Sequence, residues 1–90
     1  MKSEDRIHYL QAIWATFQDK AKTKRDMSSS EYHAAAKWAD RDIPLPVVLR
    51  GIHEFEGTPR RLEAVVVSVE KAEAYWRQAM GYIPSGEEAQ

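Results

Sequence analysis

The sequence has no cysteine and little glycine or proline, with four of each among its 90 residues. Without thiols it can form neither a disulfide framework nor a thiolate metal site. The longest uninterrupted apolar run, residues 64–67, is far shorter than the roughly 20 residues that cross a bilayer, so we expect no membrane span. The charged start, residues 1–6, lacks the apolar stretch of a secretory signal, which favours a cytoplasmic protein.

The chain also lacks an excess of either charge. Thirteen lysines and arginines stand against fourteen aspartates and glutamates, which gives a formal net charge of −1. A dedicated duplex-binding domain usually carries a clear basic excess, because much of its affinity comes from counterion release at phosphates. Near neutrality therefore argues against autonomous DNA binding and leaves room for a local basic patch.

Motifs for catalysis or cofactor binding are missing as well. The three histidines, His8, His33 and His53, fall on separate predicted helices without an i, i+4 pair, so we expect solvated side chains and no metal site. The glutamates between residues 54 and 63 have no serine–histidine or cysteine nucleophile beside them, and no glycine-rich phosphate loop occurs. We therefore expect a protein that is not an enzyme and that uses no metal or cofactor.

What the sequence does contain is the pattern of four helices. Apolar residues recur every three or four positions through residues 3–24, within an arc of about 160°, and predict a first helix. Ser3, at its start, is the predicted N-cap. Ser28 and Glu31 form a capping box that starts the second helix, and Met27 and Tyr32 occupy the positions of a hydrophobic staple.

The third and fourth helices are marked by proline, glycine and a second apolar stripe. Proline is tolerated only in a first turn, so the third helix is predicted to start close to Pro44 or Leu45 and to stop at Gly57. A one-sided stripe predicts a single fourth helix from about Arg60 to Met80, in spite of the strand propensity of its three consecutive valines.

Together these signals predict an all-α fold, a single compact bundle of four main helices over residues 1–82 with a flexible tail at 83–90. A tight Ile43-Pro44-Leu45-Pro46 turn joins helices two and three. Gly51 within the third helix costs about 1 kcal/mol relative to alanine, which indicates close approach by another helix or a tryptophan ring. The predicted core residues are Ile7, Leu10, Trp14, Phe17, Tyr32, Ala35, Leu49, Ile52, Phe55, Val66, Val69 and Trp76.

Two groups of basic residues, one at the C-terminal end of the first helix and one at the junction of the third and fourth helices, fit either solvated helix ends or contacts for phosphate or an acidic partner. In an up-down bundle we expect them to project opposite ways and to merge only if the second helix is short or steeply crossed. Trp38, flanked by cations, fits either a stacking platform for single strands or an edge-of-core ring covered by arginine. The candidate residues are Lys22, Lys24, Arg25, Trp38, Arg60 and Arg61.

The order of the cap and core signals extends over roughly residues 14–76. It consists of Phe17, Met27-Ser28, Glu31, Trp38, the stretch 48–52 and Ser68-Val69. This order resembles the DnaD-like domain of bacterial and phage replication-initiation (primosomal) proteins, and the resemblance implies a small helical accessory domain. That family closes with a Tyr-x-x-x-Ile-x-x-x-Trp helix implicated in DNA contact, whereas this chain has a different sequence at 75–80, so the DNA contact does not carry over residue by residue.

The sequence leaves two function classes open. The resemblance and the basic groups favour a non-catalytic accessory module of bacterial or phage nucleic-acid transactions, which contacts nucleic acid weakly or through a larger complex. The near-neutral charge favours a protein-interaction or homo-oligomeric module that binds no nucleic acid. In either class we expect another protein or a complex as the partner and no membrane.

Overall fold

The structure, a computed structural model, describes residues 2–80. These residues form four α-helices and no strand, which confirms the predicted all-α fold. The helices are α1 (Ser3–Ala21), α2 (Ser29–Asp40), α3 (Leu45–Glu54) and α4 (Val66–Ala79), with a 3-10 helix at Leu62–Val65 leading into α4. None of the described helices is long and apolar enough to cross a membrane. The predicted tail at 83–90 lies outside the described residues.

The start of α2 is fixed by the predicted capping box. The Ser28 hydroxyl accepts the backbone N–H of Glu31, and the Glu31 carboxylate accepts the backbone N–H of Ser28 at 2.9 Å. Two of the backbone donors at the helix start are thus satisfied by this reciprocal pair, and the prediction is confirmed.

The predicted start of α1 at residue 3 is confirmed, but its predicted cap and its predicted end need correction. Lys2 is the N-cap and no side chain caps the helix, so the prediction of Ser3 as the cap was wrong; Ser3 already lies within the first turn. The helix ends at Ala21, earlier than predicted, because Lys22 adopts a left-handed conformation with φ 56° and its N–H bonds back to the carbonyl of Asp19.

The third helix starts as predicted, with Pro44 as its N-cap, but ends sooner. Phe55 is already extended, so α3 stops at Glu54, and Gly57 takes its positive φ of 94° inside the following loop. A glycine suits that position because a left-handed backbone is costly for other residues.

The last helical segment begins later than predicted and stays helical through the three valines, with the change from 3-10 helix to α-helix between Val65 and Val66. Arg61 is extended and the 3-10 turn precedes α4, so the start at Arg60 was wrong. The physical reason is a contact with α2, since the backbone N–H of Leu62 donates to a carboxylate oxygen of Glu31 at 2.9 Å. This bond holds the chain against α2 before the helix begins.

The helices alternate in direction. Arg6 near the start of α1 pairs with Asp40 at the end of α2 at 2.8 Å, and Lys20 near the end of α1 donates to the carbonyl of His53 near the end of α3 at 3.1 Å. The loops after α1 and after α3 therefore meet at one end of the bundle. The expectation that the two basic groups project opposite ways was wrong. The chain reverses direction after α1 and again after α2, so α3 ends at the same end of the bundle as α1.

Between the helices lies one apolar core, which the sequence predicted in part. Of the predicted residues, Phe17, Ala35, Ile52 and Val69 are buried and most of the others are partly buried. Ile7 on α1 and Tyr32 on α2, in contrast, are 53% and 44% exposed, because the apolar face of each helix extends beyond its contact with neighbouring helices. Buried residues that the prediction left out include Tyr9, Ile13, Trp38, Ile43, Val48, Leu62 and Val65.

A close helix contact lies at Gly51, as its position inside α3 predicted. A Cβ atom at Gly51 would stand 2.5 Å from the Cα of Val69 on α4, closer than real Cβ atoms approach a backbone. The adjacent Ser68 hydroxyl donates to the Gly51 carbonyl at 2.6 Å. Because Gly51 has no side chain, α3 and α4 pack backbone to backbone. This packing offsets the low helix propensity of glycine.

Candidate binding surface

The six candidate contact residues have three different environments. Lys22, Lys24, Arg60 and Arg61 are exposed and belong to the loops that meet at one end of the bundle. Trp38 is only 2% exposed and is part of the core, so its ring is not available for stacking on a base. The stacking alternative at Trp38 was therefore wrong.

Arg25, the remaining candidate, is bound within the protein. Its two terminal nitrogens each donate to one carboxylate oxygen of Glu31 at 2.7 Å, and one of them also donates to the carbonyl of Arg60 at 3.0 Å. A bidentate arginine–carboxylate pair is among the stronger charge-assisted arrangements. Arg25 therefore joins the two loops and is not free to bind phosphate.

Glu31 is the centre of this arrangement. It is 1% exposed and accepts hydrogen bonds from Arg25 and from the backbone N–H groups of Ser28 and Leu62. The hydrogen bonds from Arg25, followed by those from the two backbone groups, hold the pKa of Glu31 well below its ordinary value against the opposing effect of burial. We call these four residues the Glu31 cluster.

The Glu31 cluster also fixes the aromatic ring of Trp14 on α1. The Arg25 carbonyl accepts hydrogen bonds from Trp14 Nε1 and Gln18 Nε2, both at 2.9 Å. The Arg25 guanidinium lies 5.1 Å from the centre of the Trp14 ring, and Trp14 stacks on Phe17 with centroids 5.0 Å apart. Both the polar edge and the faces of this partly buried indole are thus held in place.

Beside Trp14 runs an open groove between α1 and the start of α2, which we call the α1–α2 groove. Its volume is about 410 Å³, and its apolar lining residues are Ile7, Leu10, Trp14, Ala15, Met27 and Tyr32. Met27 and Tyr32, the predicted staple residues, thus border one groove. Sequence patterns placed Ile7, Trp14 and Tyr32 in the core and missed their role as an open surface, since periodicity alone does not distinguish a covered apolar stripe from an uncovered one.

The α1–α2 groove continues into a second concavity that carries positive charge, which we call the basic pocket. Ala15 and Gln18 line both spaces, and beyond them the basic pocket is lined by Lys22 and Lys24 together with Asp19 and Thr23. The ion pairs of residues 2–80 do not include either lysine. An apolar surface and two available cations are therefore contiguous along α1.

A smaller cleft of about 240 Å³ lies on the opposite pair of helices, between α3 and α4. Its lining includes Tyr75 and Trp76, which contact arginines: Arg50 stands 5.1 Å from the Tyr75 ring centre and Arg77 5.4 Å from that of Trp76. Among the described contacts, no hydrogen bond fixes the Trp76 indole in this α3–α4 cleft as the Arg25 carbonyl fixes that of Trp14.

The three histidines are exposed, as predicted, and residues 2–80 contain no group of three side chains that could hold a metal ion. Comparison with protein-family models, with curated proteins and with solved structures finds no match for this chain. The resemblance to the DnaD-like domain therefore stays a prediction.

Proposed function

We propose that this chain is a non-catalytic binding module that holds a protein partner in the α1–α2 groove. The observation that carries the proposal is the open apolar surface formed by Ile7, Tyr32 and Trp14, with the Trp14 indole already fixed by Arg25. Protein interfaces concentrate their binding energy in a few buried aromatic and apolar anchors. A surface fixed before binding also loses less conformational entropy when the partner docks.

The same geometry favours a protein over a nucleic acid at this surface. Base stacking needs an open ring, but Trp38 is buried, and the Arg25 guanidinium that contacts Trp14 is already paired with Glu31. The α1–α2 groove is lined mainly by apolar and uncharged side chains, which suit apolar anchors better than a charged backbone.

The proposal is tested by partner capture with matched variants. Wild type, Ile7→Glu and Val67→Glu are immobilised, incubated with native-host extract and analysed by quantitative mass spectrometry. Val67 is 61% exposed on α4, so its variant is a control for placing a carboxylate on an exposed apolar position. We expect a protein retained by wild type and Val67→Glu and lost by Ile7→Glu. Equal recovery by all three, or no specific recovery by wild type, contradicts the proposal.

Urea unfolding of the same three proteins keeps that comparison interpretable. Ile7 and Val67 are both mostly exposed, so each change should alter the free energy of unfolding by no more than about 0.5 kcal/mol. A much larger loss in Ile7→Glu would mean that Ile7 stabilises the fold rather than the complex.

A second candidate function, weak nucleic-acid binding, is favoured by one observation. The bond from Arg25 to the Arg60 carbonyl holds the two loops together, so that Lys22, Lys24, Arg60 and Arg61 all belong to one end of the bundle. Together with the DnaD-like resemblance, this supports an accessory module of DNA replication or a related process that contacts the phosphate backbone.

This second candidate is tested by fluorescence anisotropy with labelled single-stranded and duplex DNA at roughly 50 and 200 mM salt. Binding should weaken as salt rises and should be abolished by replacing Lys24 and Arg61 together with glutamate. Absence of binding at the lower salt, or binding that the double variant leaves unchanged, rules this candidate out.

A further inference from the structure

We infer that the partner segment in the α1–α2 groove is an amphipathic helix with acidic residues at one end. The inference rests on the proposed function, because it names the chemistry of the occupant of that groove. Its basis is the continuity of the apolar groove with the basic pocket through Ala15 and Gln18.

The shape of the surface indicates a helix. Ile7, Leu10, Trp14 and Gln18 follow one another at spacings of three and four along α1, so the floor of the groove is a straight stripe parallel to a helix axis. From Ile7 to Lys22 this stripe and its basic continuation extend about 22 Å, the length of a helix of about 15 residues. An added strand would need a free sheet edge, and the described part of the chain contains no strand.

The charges at the two ends of the surface indicate the acidic end of the partner. At one end, Lys22 and Lys24 outnumber Asp19. Near the other end, Arg6, one residue before Ile7, is already paired with Asp40 at 2.8 Å. A segment with its acidic residues at the lysine end is therefore attracted in one orientation only, and complementary charge of this kind sets register and excludes wrong partners.

The occupant is defined experimentally by selecting displayed helical peptides of about 15 residues on the intact chain. Selections run in parallel on wild type, Ile7→Glu, the double variant Lys22→Glu/Lys24→Glu, and a matched control, Lys37→Glu/Lys71→Glu. The control makes the same change in net charge at two exposed lysines on α2 and α4 that line neither the α1–α2 groove nor the basic pocket.

We expect wild type to enrich peptides with apolar residues every three or four positions and aspartate or glutamate grouped at one end. These peptides should bind Lys22→Glu/Lys24→Glu about tenfold more weakly than wild type, because two exposed charge pairs are lost. They should bind the control with the same affinity as wild type. The double variant should instead enrich peptides with lysine or arginine at that end.

The outcomes separate the inference from the proposed function. Enriched peptides that need Ile7 but carry no acidic group, or that are proline-rich and extended, overturn the inference and leave the proposed function standing. Peptides that bind Ile7→Glu as well as wild type, or no enrichment on wild type, contradict both.

Discussion

Each end of the bundle contains a buried glutamate bound by arginine, and the two differ in their other donors. Glu31, 1% exposed, binds Arg25 and also two backbone N–H groups. Glu73, 3% exposed, is bound by the side chains of Arg41 and Arg77, both about half exposed. A guanidinium can turn to water when its partner is lost, whereas a buried backbone donor such as Leu62 N–H cannot.

This difference explains how the Glu31 end supports the candidate surface. The Glu31 cluster holds Arg25, whose carbonyl and guanidinium in turn hold the Trp14 indole in the α1–α2 groove. The pairs of Glu73 join α4 to the end of α2 through Arg41 and otherwise stay within α4. One glutamate therefore organises a surface, while the other connects two helices.

The largest expected effect is on folding and compares the two glutamates directly. Glu31→Ala should lower the free energy of unfolding by about 3–5 kcal/mol, because it leaves a buried N–H and a partly buried arginine without their acceptor. Glu73→Ala should cost about 1–2 kcal/mol, since its half-exposed arginines become solvated. Urea unfolding at neutral pH measures both, and equal losses would contradict the distinction between the two ends.

A second effect is the dependence of stability on pH. Folding lowers the pKa of Glu31, so its stabilisation is complete above the unfolded value of about 4.3 and is lost as pH falls toward the lower folded pKa. The difference in unfolding free energy between wild type and Glu31→Gln should therefore narrow below that pH, by up to about 1.4 kcal/mol per unit. A difference that stays constant from pH 7 to pH 3 would mean that Glu31 does not titrate as its contacts require.

A smaller effect concerns Tyr9, which fastens α1 to the α2–α3 turn. Its hydroxyl donates to the Ile43 carbonyl at 2.7 Å, and Tyr9→Phe should cost about 1 kcal/mol in urea unfolding, while the exposed Tyr75→Phe should cost almost nothing. Burial first, and then the charges of Asp42 and Glu73, raise the pKa of Tyr9 to about 12.

The raised pKa of Tyr9 fixes the sign of its contribution at alkaline pH. Its stabilisation is fully present below the unfolded value of about 10 and is lost as pH rises toward the folded value. The difference between the ultraviolet absorbance titrations of wild type and Tyr9→Phe should show Tyr9 ionising well above its ordinary pKa of about 10. Ionisation of Tyr9 near pH 10 would contradict the buried hydrogen bond.

The smallest expected effect on stability is at the basic pocket. Lys22→Glu/Lys24→Glu changes two exposed side chains outside the ion pairs of residues 2–80, so the free energy of unfolding should shift by less than about 0.5 kcal/mol. Thermal unfolding followed by circular dichroism checks this. A loss as large as that in Glu73→Ala would assign these lysines to the fold rather than to a partner.

Local signals in the sequence predicted the fold well. The capping box at Ser28 and the proline at residue 44 fixed helix starts, because each acts within a single turn. Gly51 also predicted a close helix contact, although not which residue would meet it. The start of α4 was predicted less well, since it depends on a bond between Leu62 and Glu31, which are 31 positions apart.

The candidate surface was harder to predict, because its key contacts are long-range. Arg25 looked like one of several basic contact residues, and only the fold shows that its guanidinium binds Glu31 and the Arg60 carbonyl. Ile7 and Tyr32 have the periodicity of core residues, and that pattern does not show whether the chain supplies a neighbour to cover them. Lys22 and Lys24 remained available, as the sequence predicted.

Whether the α1–α2 groove is the binding surface can be measured from the three tryptophan indole N–H signals in a nuclear magnetic resonance titration. Trp14 lines the α1–α2 groove, Trp38 lies in the core and Trp76 lines the α3–α4 cleft, so the three signals report on three regions. When an enriched peptide or the captured partner is added to the isotope-labelled chain, the Trp14 signal should shift while the Trp38 and Trp76 signals stay in place. A shift of the Trp76 signal with the Trp14 signal unmoved would place the binding surface at the α3–α4 cleft and contradict its assignment to the α1–α2 groove.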